Sequence, residues 1–149
     1  MTTSRYSFVD EHATIIAAPP DAVWRALTEA VQDAYGSGFA TRYARLIGCD
    51  PATATGPRPP AEGATLPGFR VLTADPPTTL ALAGTHRFSS YTLTFHLTPL
   101  TPHRSRLRAE TRATFPGTRG GLYRSLVIGT SIHAYLMRWL LAGVGRRVG

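Results

Sequence analysis

The segment GGLYRSLVIGTSIHAYLMRWLLAGVGRR, from Gly120 to Arg147, is predominantly apolar. Its polar residues Arg124, Ser131 and Arg138 are seven positions apart, which is close to two turns of an α-helix. The remaining positions from Leu122 to Leu141 are mostly apolar. This spacing predicts one long helix with a narrow polar stripe. A helix that is apolar around most of its surface has to be buried against other elements.

The sequence before this helix, from Phe69 to Phe115, has the period of two that is typical of strands with one dry face. The alternation is clearest in Tyr91 to Thr98, and we expect a turn from Thr98 to Ser105 before a strand with Arg106, Arg108 and Arg112 on its wet face. Two further strands are predicted in the same segment, at Phe69 to Ala74 and at Thr79 to Phe88.

The N-terminal part adds a strand and a helix. Arg5 to Ala17 has the length and composition of a strand, and Pro19 and Pro20 end it. Asp21 to Ala34 carries apolar residues at helical spacing. We expect a second strand at Phe39 to Gly48.

The segment from Cys49 to Gly68 is rich in proline and glycine and is predicted to be a long loop that gates a binding site.

These elements predict an α+β fold in which a curved antiparallel sheet wraps around the long C-terminal helix and short helices follow the first strand. The predicted order is strand, helix, five strands and long helix. No repeat or linker divides the sequence, so we expect residues 1–149 to form a single domain.

The composition limits the partners that we expect. The formal net charge is +7, but all sixteen basic residues are arginine, which is typical of a GC-rich genome and not specific to a phosphate-binding surface. We therefore expect no nucleic-acid partner. His133 and Arg138 interrupt the apolar segment, so we expect no membrane span. A single cysteine, Cys49, and the lack of a signal-like start at Met1 predict a cytoplasmic location.

A family resemblance is carried by the strand-to-helix residues Ile16, Ala18, Pro19, Val23 and Trp24, together with the long terminal helix. The chain resembles the START and polyketide cyclase superfamily (SRPBCC), which has the helix-grip fold. The segments PGFRV (67–71) and GTHRFS (84–89) are similar to those of uncharacterised actinobacterial members. The resemblance implies a deep cavity between the sheet and the last helix that holds lipids, polyketides or other apolar molecules. Some relatives are enzymes and others only bind or carry.

Candidate site residues follow from this arrangement. If Ile16 faces the helix, the period of two also turns Thr14, His12, Asp10 and Phe8 inward. His12 and Asp10 are then candidates for acid-base chemistry, because an imidazole exchanges protons near neutral pH. A strand whose outer end simply meets solvent is the alternative.

The face shared by Leu80, Leu82 and Gly84 extends to His86, which is a third acid-base candidate. On the long helix, Gly129 and His133 lie on the face that we expect to line the cavity. Aromatic residues form the rest of the predicted wall, although each of them is also a candidate for ordinary core packing. The predicted ligand-binding residues are His12, His86, Tyr91, Leu93, Phe95, Gly129 and His133, and Tyr123, Tyr135 and Trp139 are further aromatic candidates.

We expect no metal and no cofactor. His12, His86 and His133 supply enough imidazoles for a zinc site, but no closely spaced ligand pair such as His-x-x-x-His is present. Cys49 lacks a flanking motif for nucleophilic use. A phosphate-binding loop is also missing, since Gly117, Gly120 and Gly121 are not followed by the required Lys-Ser/Thr.

Three functional hypotheses remain from the sequence. The first is a protein, monomeric or homodimeric, that binds a small hydrophobic or aromatic ligand. The second is a cyclase or dehydratase type enzyme in which His12, with Asp10 or His86, moves a proton. The third is a module that binds RNA or an acidic carrier protein through Arg106, Arg108 and Arg112.

Overall fold

A computed structural model describes residues 7–35, 42, 46, 55–56, 62–66, 69–85, 90–114 and 137–148. The elements in chain order are β1 (Ser7–Ile16), α1 (Pro20–Tyr35), β2 (Thr65–Leu66), β3 (Phe69–Asp75), β4 (Thr79–Thr85), β5 (Ser90–Thr101) and β6 (Arg104–Thr114). Residues 137–148 are helical and belong to the C-terminal helix, here called α2.

The six strands form one curved antiparallel sheet with the order β1-β6-β5-β4-β3-β2. Each strand from β2 to β6 pairs with its sequence neighbour, and β1 pairs with β6. One face of the sheet, here called the inner face, packs with α1 and α2 around a single core cluster. The predicted α+β architecture, with an antiparallel sheet around a terminal helix, is confirmed.

Helix α1 forms where its sequence predicts it. Pro20 occupies the first helical position, where its missing N–H would have no intrahelical partner. Asp21 lies in the first turn, near the positive end of the helix dipole. Val23, Leu27 and Val31 are buried, and the spacing of four residues between them keeps them on one face against the sheet.

The described part of α2 closes the core from the other side. Its buried residues Met137, Leu140, Leu141 and Val144 recur at intervals of three and four, and Arg138 is exposed as the polar stripe predicts. Residues 120–136, which include most of the predicted apolar surface of this helix, lie outside the described residues.

A buried hydrogen bond fixes the connection between β1 and α1. The Ser105 hydroxyl on β6 donates to the Ala18 carbonyl oxygen over 2.8 Å. Ser105 has no exposed surface, so this bond satisfies a carbonyl at a point where the chain leaves the sheet. It therefore holds the start of α1 against β6.

The prediction of a strand at Phe39 to Gly48 is wrong at the two positions of this segment that the structure describes. Arg42 and Leu46 are helical. Both residues are exposed. Short runs of mixed apolar and polar residues do not distinguish a strand from a helix, and arginine and leucine are both good helix formers.

The predicted loop from Cys49 to Gly68 contains an element that the sequence analysis did not predict. Thr65 and Leu66 form β2 and pair with Arg70 and Phe69, and Thr55 forms an isolated bridge to Thr65. Leu66 has no exposed surface, so the described C-terminal part of this segment is anchored in the core. A gating function stays a prediction for the residues outside the described ranges.

The turn predicted from Thr98 to Ser105 is shorter than expected. β5 continues to Thr101 and β6 begins at Arg104, with Pro99 opposite Ser105. Residues 98–101 are all exposed, because this hairpin extends beyond the part of the sheet that the helices cover. Backbone pairing therefore continues where the hydrophobic alternation has already ended.

Candidate functional site

The inner face of the sheet changes character along its length. Residues directly opposite one another on neighbouring strands lie on the same face, so the strand register divides the inner face into rows. At one end, here called the lower end, the rows are mainly aliphatic, with the hydrogen-bonded Ser105 and the half-buried Thr14 as their polar members. Toward the other end, here called the upper end, polar and small residues appear among the apolar ones. The rows, from lower to upper, are Ile16 and Ser105; Thr14, Leu107 and Leu97; His12, Ala109, Phe95, Leu80 and Ala74; Asp10, Thr111, Leu93, Leu82 and Val71; and Ala113, Tyr91 and Gly84.

His12 lies on the inner face, as predicted. It is half-buried and lies opposite the fully buried Ala109 of β6. The next row places Asp10 opposite Thr111, which is buried although it is polar. The structure therefore brings the backbone positions of Asp10 and His12 beside Thr111, a residue that the sequence analysis placed on this face without assigning it to the site.

The regular pairing of β1 with β6 does not extend to Phe8. The register shifts between Phe8 and Asp10, and Phe8 lies opposite Arg112 of β6. An extra residue in one strand of an antiparallel pair breaks the period of two. The pairing with β6 therefore supports the predicted inward alternation of β1 only from Asp10 onward.

Tyr91 and Gly84 define the uppermost described row. Gly84 is buried and lies opposite the half-buried Tyr91. The rings of Tyr91 and Phe69 contact each other edge to face, with centroids 5.4 Å apart. Gly84 therefore contributes no side chain of its own to the inner face beside this aromatic pair.

Leu93 and Phe95 are part of the core cluster, with 2% and 1% of their surface exposed. Their predicted role as ligand contacts stays a prediction. His86, Gly129 and His133, as well as Tyr123 and Tyr135, lie outside the described residues. Their proximity to His12 is likewise a prediction.

The described residues contain no group of three or more His, Cys, Asp or Glu side chains that could hold a metal ion. Cys49 is not among the described residues.

The outer face of the sheet carries the arginine stripe, and its charge is largely compensated. Nη1 of Arg108 lies 3.7 Å from Oε1 of Glu11, and Nε of Arg112 donates to Oε1 of Glu110 over 2.8 Å. The stripe of Arg106, Arg108 and Arg112 thus lies beside two glutamates, which leaves the stripe itself a net charge of +1. Compensated charge of this kind does not favour a phosphate backbone as its partner.

His96 lies on the same outer face, opposite Arg108 on β6 and Thr79 on β4. Partial burial lowers the pKa of His96 from its ordinary value, and the positive charge of Arg108 lowers it further. Glu110 and Glu11 oppose these effects but are weaker.

We expect the His96 pKa shift to make stability depend on pH. Because the folded chain binds this proton less readily than the unfolded chain, the free energy of unfolding should fall as pH falls below about 6.5. Urea unfolding between about pH 8 and about pH 5 measures this slope. His96→Gln should reduce the slope, whereas the same change at the exposed His103 should not. An unchanged slope in His96→Gln would contradict the assignment.

A pocket of about 300 Å³ lies between the two helices. The sequence analysis did not predict it, although Trp139 was a candidate pocket residue for the interior. Trp139 instead has 53% of its surface exposed and lines this pocket. The available signal was the spacing of Trp139, Gly143 and Arg146, which are four and then three residues apart on one helix face. The lining residues are Ala30, Asp33, Ala34, Trp139, Leu140, Gly143, Arg146 and Arg147.

No helix in the described ranges is long and apolar enough to cross a membrane.

Comparison with known proteins shows a likeness in structure and none in sequence. No protein-family model matches the chain, and no curated protein matches it. Among solved structures, the two-domain aromatase/cyclase BexL from the BE-7585A biosynthetic pathway aligns with a TM-score of 0.61 and 14% identity. This alignment covers 93% of this chain and 45% of BexL.

Two further solved structures give a similar result. The Zhui aromatase/cyclase from Streptomyces sp. R1128 aligns with a TM-score of 0.53 and 14% identity, over 93% of this chain and 92% of Zhui. CalU16 from Micromonospora echinospora aligns with a TM-score of 0.51 and 16% identity, over 93% of this chain and 82% of CalU16. At these identities the likeness shows the fold alone. The predicted helix-grip fold is therefore confirmed.

Proposed function

We propose that this protein binds a small hydrophobic or aromatic ligand between the upper end of the inner sheet face and the C-terminal helix. The observation that supports this proposal most directly is the change in composition along the inner face. The two lowest rows are mainly aliphatic, whereas the rows from His12 upward contain Gly84, the edge-to-face pair of Phe69 and Tyr91, and the buried polar residue Thr111.

This combination is typical of a ligand site and unusual for a region that only packs. Small-molecule sites are mostly apolar and contain a few placed polar groups that orient the ligand. A buried hydroxyl such as that of Thr111 and a half-buried imidazole such as that of His12 can each form a hydrogen bond with a polar group of an otherwise apolar molecule.

A neutral fluorescent probe tests this proposal. N-phenyl-1-naphthylamine fluoresces strongly only in apolar surroundings, so saturable enhancement at one molecule per chain is expected. Native mass spectrometry of protein purified from its own host should show a co-purifying small molecule. Ligand binding would be contradicted if the probe's fluorescence showed no saturable increase and the mass spectrum showed only protein without a bound small molecule.

A second candidate function is an aromatase/cyclase type activity. It is favoured by the alignment with BexL and Zhui, which are aromatase/cyclases by name, and by the position of His12 on the inner face beside the Asp10–Thr111 row. In such a reaction a base removes a proton from carbon between two carbonyl groups. The resulting carbanion attacks another carbonyl of the same chain, and loss of one water follows.

His12 is the described residue that we propose for this proton transfer, and holding the chain folded in the cavity would supply the proximity of the two reacting carbons. A synthetic poly-β-ketone thioester serves as the substrate, and ring closure is followed by mass spectrometry as the loss of one water per ring. His12→Ala should abolish the protein-dependent rate, and His103→Ala on the exposed hairpin should not. Equal rates with and without the protein would exclude this candidate while leaving probe binding intact.

A further inference from the structure

The pocket between α1 and α2 is separate from the inner sheet face, because every residue that lines it belongs to one of the two helices. Its volume of about 300 Å³ is at the lower end of the range for small-molecule sites.

Small residues leave this pocket open. Ala30 and Ala34 lie on the α1 side, and Gly143 lies on the α2 side. A Cβ at Gly143 would meet only an Nη2 atom of Arg146, at 3.6 Å, so ordinary packing does not require glycine there. Glycine is nevertheless a weak helix former. The helix therefore has its smallest residue at the position where a side chain would narrow the pocket.

Arg146 is the charged residue of the pocket lining that has no ion pair among the described residues. Nη2 of Arg147 donates to Oδ2 of Asp33 over 2.9 Å, and its Nη1 lies 3.8 Å from Oε2 of Glu29. The lining residues Asp33, Arg146 and Arg147 have a net charge of +1, and Glu29, which lies outside the lining, balances it, so an anion would be held by its direct contact with Arg146.

Trp139 supplies an aromatic surface at the other end of the pocket. It precedes Gly143 by one turn and Arg146 by two turns on the same face of α2, which separates the Cα atoms of Trp139 and Arg146 by about 10.5 Å along the helix axis. The Arg146 guanidinium extends back over Gly143 and so lies between these two levels. An indole that is 53% exposed and a guanidinium thus border the same opening.

We propose that this pocket binds a planar aromatic monoanion such as an aryl carboxylate. The ring system stacks on the Trp139 indole, and the carboxylate accepts two hydrogen bonds from the Arg146 guanidinium, which lies over Gly143. Arg147, held by Asp33 and Glu29, forms the wall behind it. A dianion would meet Asp33 without a second free cation, so a single negative charge is the best match.

Isothermal titration calorimetry with naphthalene-2-carboxylate tests this site. We expect saturable binding at one molecule per chain, and the neutral isostere naphthalene-2-carboxamide should bind at least about tenfold more weakly, because it has no negative charge and only one acceptor oxygen for the guanidinium. N-phenyl-1-naphthylamine, bound at the proposed interior site, should not be displaced by the carboxylate. If the interior site did not bind the probe at all, the calorimetric result for naphthalene-2-carboxylate would be unchanged.

Two pairs of variants locate the binding. Arg146→Gln should weaken naphthalene-2-carboxylate binding at least about tenfold, whereas Arg138→Gln, an exposed arginine of α2 that does not line the pocket, should not. Gly143→Leu should abolish binding, because a leucine side chain would fill the part of the pocket beside Gly143. Gly145→Leu is its control, because a Cβ at Gly145 would meet no atom within 4 Å and Gly145 is not part of the lining.

The thermal midpoint of each variant shows that it is folded. The proposal is overturned if no saturable binding is found, or if the carboxamide binds as tightly as the carboxylate. Wild-type affinity in folded Arg146→Gln or in folded Gly143→Leu would also overturn it.

Discussion

Phe95→Ala is expected to lower the free energy of unfolding by about 3 to 5 kcal/mol. Phe95 is 1% exposed and lies in the middle row of the inner sheet face, where Ala109 and Leu80 are its neighbours on the adjacent strands. Removing its ring deletes apolar contacts and leaves a cavity that the surrounding strands cannot close completely. A loss of this size is a large fraction of the total stability of a typical domain.

Urea unfolding of Phe95→Ala and of Ile15→Ala measures this difference. Ile15 is also an apolar strand residue, but it is 58% exposed on the outer face. Ile15→Ala should therefore lower the free energy of unfolding by less than about 1 kcal/mol. A cost below about 1.5 kcal/mol for Phe95→Ala would show that its ring borders space that is already empty. Phe95 would then be part of a ligand wall and not of the packed core.

The parts of the fold that could be predicted are those in which burial on one side imposes a period on the sequence. The alternation of β5 identified its strand because Leu93, Phe95 and Leu97 are buried while their neighbours Thr94 and His96 are not. Helix α1 was predictable for the same reason, with a period near four. Both patterns reflect contact with one core.

The parts that were missed depend on interactions that leave no period. β2 is only two residues long, and Leu66 is buried because the chain reverses beside β3. The bulge between Phe8 and Asp10 is a property of pairing with β6, and a single sequence does not contain its partner's register. Arg42 and Leu46 are exposed, so their helical conformation produced no apolar stripe.

The candidate sites show the same division. The inward position of His12 follows from the phase of β1, because Ile16 fixes the inner face and the strand is regular from Asp10 onward. The pocket between the helices was not predictable, since it requires Ala30 and Ala34 of α1 to face Gly143 of α2. That approach is set by how both helices pack on the sheet.

Gly84→Phe is expected to weaken N-phenyl-1-naphthylamine binding at least about 100-fold, which corresponds to about 2.7 kcal/mol. Gly84 is buried in the uppermost described row, opposite Tyr91, and its φ is not in the left-handed region that excludes larger residues. A phenyl ring at this position extends over the inner face beside Tyr91 and occupies the space proposed for the ligand.

Ala83→Phe is the matched control. Ala83 precedes Gly84, and successive side chains of a strand point to opposite faces, so its ring would lie on the outer face and leave the affinity for the probe unchanged. Unfolding measurements on both variants separate two arrangements of the upper rows. If the upper rows border a ligand cavity, the phenyl ring of Gly84→Phe fills volume that no side chain occupies. The free energy of unfolding should then fall by no more than about 1 to 3 kcal/mol. If the interior is instead solidly packed, the new phenyl ring has to displace Tyr91 and its neighbours. Gly84→Phe would then be unfolded while Ala83→Phe stays folded, and this result would rule out the proposed interior site.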